Sequence, residues 1–110
     1  MLRRLWYRLK RRKISYTCIG KFDIETLNQI KKAKRYGNYL IVGINRKSFR
    51  YKNVLRIAKS IKFINSIAIQ KDISSAKIIK DLRPEYFITD NPHEDEIKEL
   101  VVYNGKVIKI

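Results

Sequence analysis

Four consecutive residues, Gly20-Lys21-Phe22-Asp23, fall between an apolar stretch and a helical one. A turn from strand to helix at such a place can hold a phosphate on free backbone N–H groups. Farther on, Arg46, Lys47, Arg50 and Lys52 are interleaved with Phe49 and Tyr51. Basic side chains alternating with aromatic ones make a platform for phosphates and bases. The rest of the chemical inventory is thin. Cys18 is the one cysteine and His93 the one histidine of the 110 residues, so the chain supplies no disulfide pair, no zinc set and no pair of imidazoles. Asp90, Glu94, Asp95 and Glu96 gather at a turn and helix start. Carboxylates there more often complement the helix dipole than bind metal. No P-loop, no G-x-G-x-x-G and no supported Ser-His-Asp arrangement occurs. Cys18 is expected as a small apolar residue of a buried strand, and His93 as a surface turn or cap residue.

Apolar periodicity defines the elements that must position these residues. Strands are expected over 14–20, 38–45 (with the run YLIVGI), 66–70, 86–89 and 100–103. Helices are expected over 24–36, over 51–62 (with Val54, Leu55, Ile57, Ala58 and Ile61 in helical spacing) and over 93–99. A further helix starts at Ser74 or Ser75 and runs to about Leu82, with Pro84 preventing its extension. Strands alternating with helices predict an α/β fold, a parallel sheet with helices on both faces. Asn104-Gly105 is a strong hairpin signal, so the C-terminal segment is either a lone parallel strand or an antiparallel edge ribbon.

The net charge is +16, and its distribution is uneven. Residues 1–13 hold seven basic and no acidic residues, residues 14–62 twelve against two, and residues 63–110 seven against eight. The entire excess lies in the first 62 residues, which predicts a polyanionic partner, nucleic acid first and anionic lipid second. The opening MLRRLWYRLKRRK sets Leu2, Leu5, Trp6 and Leu9 at i, i+3, i+4 and i+7 among Arg3, Arg4, Arg8, Lys10, Arg11, Arg12 and Lys13. This is the pattern of a basic amphipathic helix. Three readings stay open for it: a nucleic-acid-binding arm, a membrane-surface or targeting segment, or a helix packed on its own domain. The organisation expected is an arm over 1–13 and one domain over 14–110. No apolar run approaches the roughly 18 residues of a membrane span. The expected setting is an intracellular, reducing compartment: cytoplasm, organelle matrix or virion.

Gly20, Phe22 and Asp23 resemble the G-x-F-D turn of the cytidylyltransferase-like nucleotidyltransferases, the group that includes glycerol-3-phosphate cytidylyltransferase and phosphopantetheine adenylyltransferase. Residues 33–44, AKRYGNYLIVGI, resemble that family's A-K-x-x-G-D-x-L-[VI]-V-[AG]-[IV] segment. Residues 61–69, IKFINSIAI, resemble its I-R-x-[VI]-D-x-[VI] segment, and residues 82–91, LRPEYFITDN, its strand with an apolar pair before G-D. The resemblance spans about residues 14–103. It implies a Rossmann-like five-stranded sheet in the order 3-2-1-4-5, with ligands at the carboxyl ends of the first and fourth strands. It also implies a vestigial nucleotide site at Gly20, Phe22, Asp23 and Asp90.

The departures from the family pattern are more decisive. The H-x-G-H pair that binds phosphates in that family is absent. Asp23 is followed by IETLNQIKK, and the chain is shorter there by about one helical turn. One histidine cannot replace two. The family's late I-S-T-[TS] signature would lie beyond Ile110, and its early arginine falls on Val54, with Arg56 close by. The resemblance therefore implies a degenerate, non-catalytic domain. Its expected role is that of a basic structural subunit of a larger assembly, with RNA ahead of DNA as partner, alongside neighbouring proteins, and with no cofactor. Lys21, Arg46, Lys47, Arg50 and Lys52 are expected along the edge of the old substrate crevice, with the arm residues on the same polyanion. Two other readings remain: a minimal enzyme or binding module for CTP or ATP with Mg²⁺, and a virion or membrane-associated structural protein.

Overall fold

Strands inside a parallel sheet covered on both faces read as unbroken apolar runs, because neither face meets water. β1 (Ile14–Ile19) and β2 (Tyr39–Asn45) are of this kind, buried along nearly their whole length. The computed structural model describes residues 13–110, in which β3 (Ser66–Gln70), β4 (Tyr86–Thr89) and β5 (Lys106–Lys109) complete the sheet. All neighbours pair in parallel in the order β3-β2-β1-β4-β5. This is the expected order. Arg3, Arg4, Arg8, Lys10, Arg11 and Arg12 of the arm lie outside the described residues. No helix among the described residues is long and apolar enough to cross a membrane.

Four helices connect the strands: α1 (Ile24–Tyr36), α2 (Tyr51–Lys59), α3 (Ala76–Leu82) and α4 (Glu94–Val101). α1 buries Thr26, Ile30 and Ala33, spaced i, i+4 and i+7, and α2 buries Val54 and Ala58. Both stripes join Ile19, Leu40, Val42, Ile44 and Ile88 in one core, on one face of the sheet. Ile79 of α3 and Leu100 of α4 pack with Ile14, Tyr16, Ile41 and Phe87 in a second core on the opposite face. The molecule is thus a three-layer sandwich in which α1 and α2 form one outer layer and α3 and α4 the other.

The C-terminal segment differs from expectation. α4 continues to Val101, and the fifth strand is Lys106–Lys109 rather than residues 100–103. It pairs with β4 in parallel, so Asn104-Gly105 makes no hairpin. Asn104 instead takes a left-handed conformation (φ 63°) at the end of the helix. Its N–H donates to the Val101 carbonyl (3.3 Å) and the Gly105 N–H to the Leu100 carbonyl (2.8 Å), which is the Schellman pattern. The two signals share a cause: both need a residue that tolerates positive φ. α2 likewise stops at Lys59, three residues earlier than periodicity suggested, where the Ser60 hydroxyl donates to the Ile57 carbonyl (2.6 Å).

One contact in the sheet fixes a residue type absolutely. Tyr16, fully buried on β1, lies against Gly43 of β2, and a methyl group added at Gly43 would fall inside the phenol. The Tyr16 hydroxyl donates to Gln70 Oε1 (2.8 Å), so the ring cannot swing away without losing a buried hydrogen bond. Gly43→Ala is expected to cost about 2 kcal/mol by overpacking. Combined with Tyr16→Phe it should cost less than the sum of the two single changes, because the phenolic oxygen is the nearest obstacle. Urea unfolding midpoints of the three variants check this; strict additivity would refute the contact.

Candidate functional site

In a sheet of this order the connections leaving β1 and β4 go to opposite faces, and a crevice opens between their carboxyl ends. Here it has a volume of about 370 Å³ and is bordered by Cys18, Gly20, Asn45, Ser75, Asp90 and Glu96, with His93 at its mouth. Among the described residues no lysine or arginine lines it.

Its floor is a closed polar network. Glu96 is 2% exposed; its Oε1 accepts the His93 N–H (2.7 Å) and its Oε2 the Ser75 N–H (2.6 Å). One carboxylate thus ties the start of α4 to the residue preceding α3, and its charge faces two helix N-termini. The Ser75 hydroxyl donates to Gln70 Oε1 (2.9 Å), and Gln70 Nε2 donates to the Asp72 carbonyl (2.8 Å). Beside this network the Cys18 thiol is pushed up to about 12, first by burial and then by the Glu96 charge. Asp95 accepts the Ser74 hydroxyl (2.7 Å), and that bond holds its carboxyl below the usual range. Asp90 is exposed at the end of β4. Among the described residues no group of three His, Cys, Asp or Glu is arranged to hold a metal ion. Glu96 is committed to two backbone N–H groups, whereas Asp90 of the crevice lining is exposed.

The turn after β1 is built by structural bonds. Asp23 caps α1, its Oδ1 accepting the Thr26 N–H (2.8 Å). Its carboxyl is held below the usual range, first by Thr26 and then by Lys21, whose Nζ lies 3.2 Å from Oδ2. Phe22 packs on the core. Gly20 has no positive φ, and the nearest atom to an added Cβ is Ser48 Oγ at 3.6 Å, so neither backbone nor space demands glycine there. The Gly20 carbonyl accepts the Ser48 hydroxyl, which latches the loop after β2 onto the turn after β1.

Arg46, Lys47, Arg50 and Lys52 are all exposed on that loop and the first turn of α2, and none of them reaches the crevice wall; nor does Lys21. Tyr51 packs on the core, whereas Phe49 is 84% exposed. Lys13 sits at the amino end of the central strand β1, its N–H bonded to Asn38 Oδ1 (2.8 Å) and its carbonyl to the Asn38 N–H (2.9 Å). β1 separates it from Lys21 by about 20 Å.

Reading the sequence for apolar spacing missed a second set of cations. Lys31, Lys32 and Arg35 on α1 follow one another at helical spacing, and on α2 Arg56 and Lys59 continue at that spacing from Lys52, which was already expected as a contact. Across the α1–α2 layer seven basic residues stand against Glu25 alone, while α3 and α4 carry three basic against five acidic residues. Lys31, Lys32 and Arg35, with Asn28 and Tyr36, border a shallow groove of about 500 Å³ along α1, where Lys32 Nζ donates to the Lys109 carbonyl of β5 (2.8 Å). Lys21 is the one cation in an ion pair among the described residues. The same i, i+3, i+4 count that locates apolar stripes would have found these basic ones.

With its thiol raised to about 12, Cys18 exists as thiolate only in strong alkali. Cys18 is half-buried and borders the crevice, so a thiol-disulfide reagent at about pH 8 should label the native protein slowly and the denatured protein at once; equal rates in the two states would contradict the raised thiol.

No protein-family model matches this chain, and no curated protein sequence matches it. Among solved structures, a lipopolysaccharide core biosynthesis protein from Thermoplasma volcanium superposes with a TM-score of 0.72 at 14% identity, over 90% of this chain and 96% of the other. The two share a Rossmann-like α/β fold over nearly their whole length.

Proposed function

We propose that this chain is a degenerate, non-catalytic relative of the cytidylyltransferase-like nucleotidyltransferases that serves as a basic, nucleic-acid-binding structural subunit of a larger assembly, in the first place a ribonucleoprotein. The observation that carries this reading is the charge of the α1–α2 layer, seven cations against one anion, with none of those seven in an ion pair among the described residues. Cations left without counter-charges on one face repel one another until a polyanion neutralises them. Lysine and arginine contacts to phosphates position a protein without reading base sequence, which suits a structural subunit. The missing histidine pair and the anionic crevice support the loss of catalysis. An intracellular, reducing setting fits the same role.

A second reading, a module for CTP or ATP, is favoured by the crevice itself, whose size and position at the β1/β4 switch point suit a small ligand. Against it stands the repulsion between a triphosphate and Asp90 and Glu96. Calorimetric titration with each nucleotide and Mg²⁺ separates the two; micromolar binding or pyrophosphate release would favour the enzyme.

The structural reading is tested by the salt dependence of binding to duplex nucleic acid. Replacing Lys31, Arg35, Arg56 and Lys59 together with alanine should flatten the slope of log K against log salt by about 0.9 for each phosphate no longer neutralised, up to about 3.6 in all. Replacing Lys77, Lys80 and Lys98 of the opposite layer should leave it unchanged. Equal effects from the two faces, or a wild-type protein that sediments identically before and after nuclease treatment of its assembly, would defeat the proposal.

A further inference from the structure

Phe49 is the most exposed large hydrophobic side chain among the described residues, at 84%, yet it does not stand on a loose tip. The Ser48 hydroxyl bonds the Gly20 carbonyl on one side of it, and the Arg46 N–H donates to the Gln70 carbonyl (2.8 Å) and the Lys47 N–H to Asn45 Oδ1 (2.9 Å). On the other side the Arg50 carbonyl accepts the Asn53 N–H (3.0 Å) as α2 begins. Arg50 holds a left-handed backbone (φ 64°), a conformation disfavoured for a side chain of this kind and kept only where the surroundings enforce it. Its guanidinium lies 5.3 Å from the Phe49 ring centroid, within cation–π distance. Tyr51, two residues on, packs on the core, so Phe49 is not needed to cover it.

We propose that Phe49 is a stacking platform for an unpaired nucleobase, backed by Arg50 and flanked by Arg46, Lys47 and Lys52 for the adjoining phosphates. The inference rests on the nucleic-acid reading above and narrows it to segments that contain single-stranded nucleotides. The chemistry is that of a ring fixed on a short loop whose residues 46–52 carry four cations and no anion. A protein hot spot would use the ring but not so concentrated a charge, and a duplex would use the charge but keep its base faces stacked inside. An unpaired nucleotide uses both, and every base offers a π face, so the contact is tolerant of sequence.

The test measures binding of the full chain to a short unstructured RNA and to a blunt RNA duplex of equal length, each across a salt series. Phe49→Ala should weaken single-strand binding about tenfold and leave duplex binding and both salt slopes unchanged, since no charge is removed. Phe49→Trp should restore the single-strand affinity. The ring is exposed, so both variants should unfold at the wild-type temperature. Unchanged single-strand affinity in Phe49→Ala, or an equal loss on the duplex, overturns the stacking role while leaving the salt-dependent binding of the basic face intact. Absence of salt-dependent binding in the wild-type protein overturns both.

Discussion

The connection between two parallel strands of one sheet turns right-handed, because a right-twisted strand and a right-handed helix pack back onto the sheet only that way. A chain that steps from β1 to β2 to β3 must therefore lay its helices on one face, and a chain that then steps from β4 to β5 in the other direction must lay them on the opposite face. Everything distinctive in this protein follows from applying that rule to its sequence. The basic excess lies in the first 62 residues, the residues that build α1 and α2. An asymmetry along the chain becomes an asymmetry across the sheet, with a cationic layer on one side and a mildly anionic layer on the other.

The same reversal of direction opens the crevice between β1 and β4, and there the residues have mostly structural work. Glu96 is the clearest case. A buried carboxylate is tolerated only when its charge is compensated, and this one is met by two backbone N–H groups at helix starts, 2.6 and 2.7 Å away. That arrangement joins α3 to α4 and at the same time makes the crevice electronegative. Asp23 tells a similar story in the turn after β1: its carboxylate caps the first turn of α1 and pairs with Lys21.

Much of the fold was legible in the residues. The short, β-branched run YLIVGI has the length and composition of a buried strand, and Ile30 and Ala33 follow Thr26 at the spacing of a helix face, so β2 and α1 were found at nearly their observed bounds. Sheet order came from resemblance rather than from periodicity, which has no means of ordering strands. The C-terminal strand was misplaced because Asn104-Gly105 signals positive φ without saying whether a hairpin or a helix end requires it. The cations of α1 and α2 were individually visible, but their assembly on one face depends on layer assignment, a property of topology. Phe49 and Tyr51 show the same limit: as letters they are interchangeable aromatics, and only the Arg50 backbone and the packing of α2 decide that one packs half-buried on the core and the other is presented.

On the reading proposed above, the division between what the turn preserves and what the faces present bears on how such a chain can lose chemistry without losing its fold. Gly20, Phe22 and Asp23 look like the heart of a phosphate site, yet Asp23 is a helix cap, Phe22 is a core residue, and Gly20 needs neither an unusual φ nor the absence of a Cβ. Selection for folding alone is enough to retain an aspartate at a helix start and an aromatic beneath it. The glycine is different, for nothing in the folded chain demands it; under the same reading it is the one residue of the turn whose presence is explained by ancestry from a phosphate-binding turn better than by present packing.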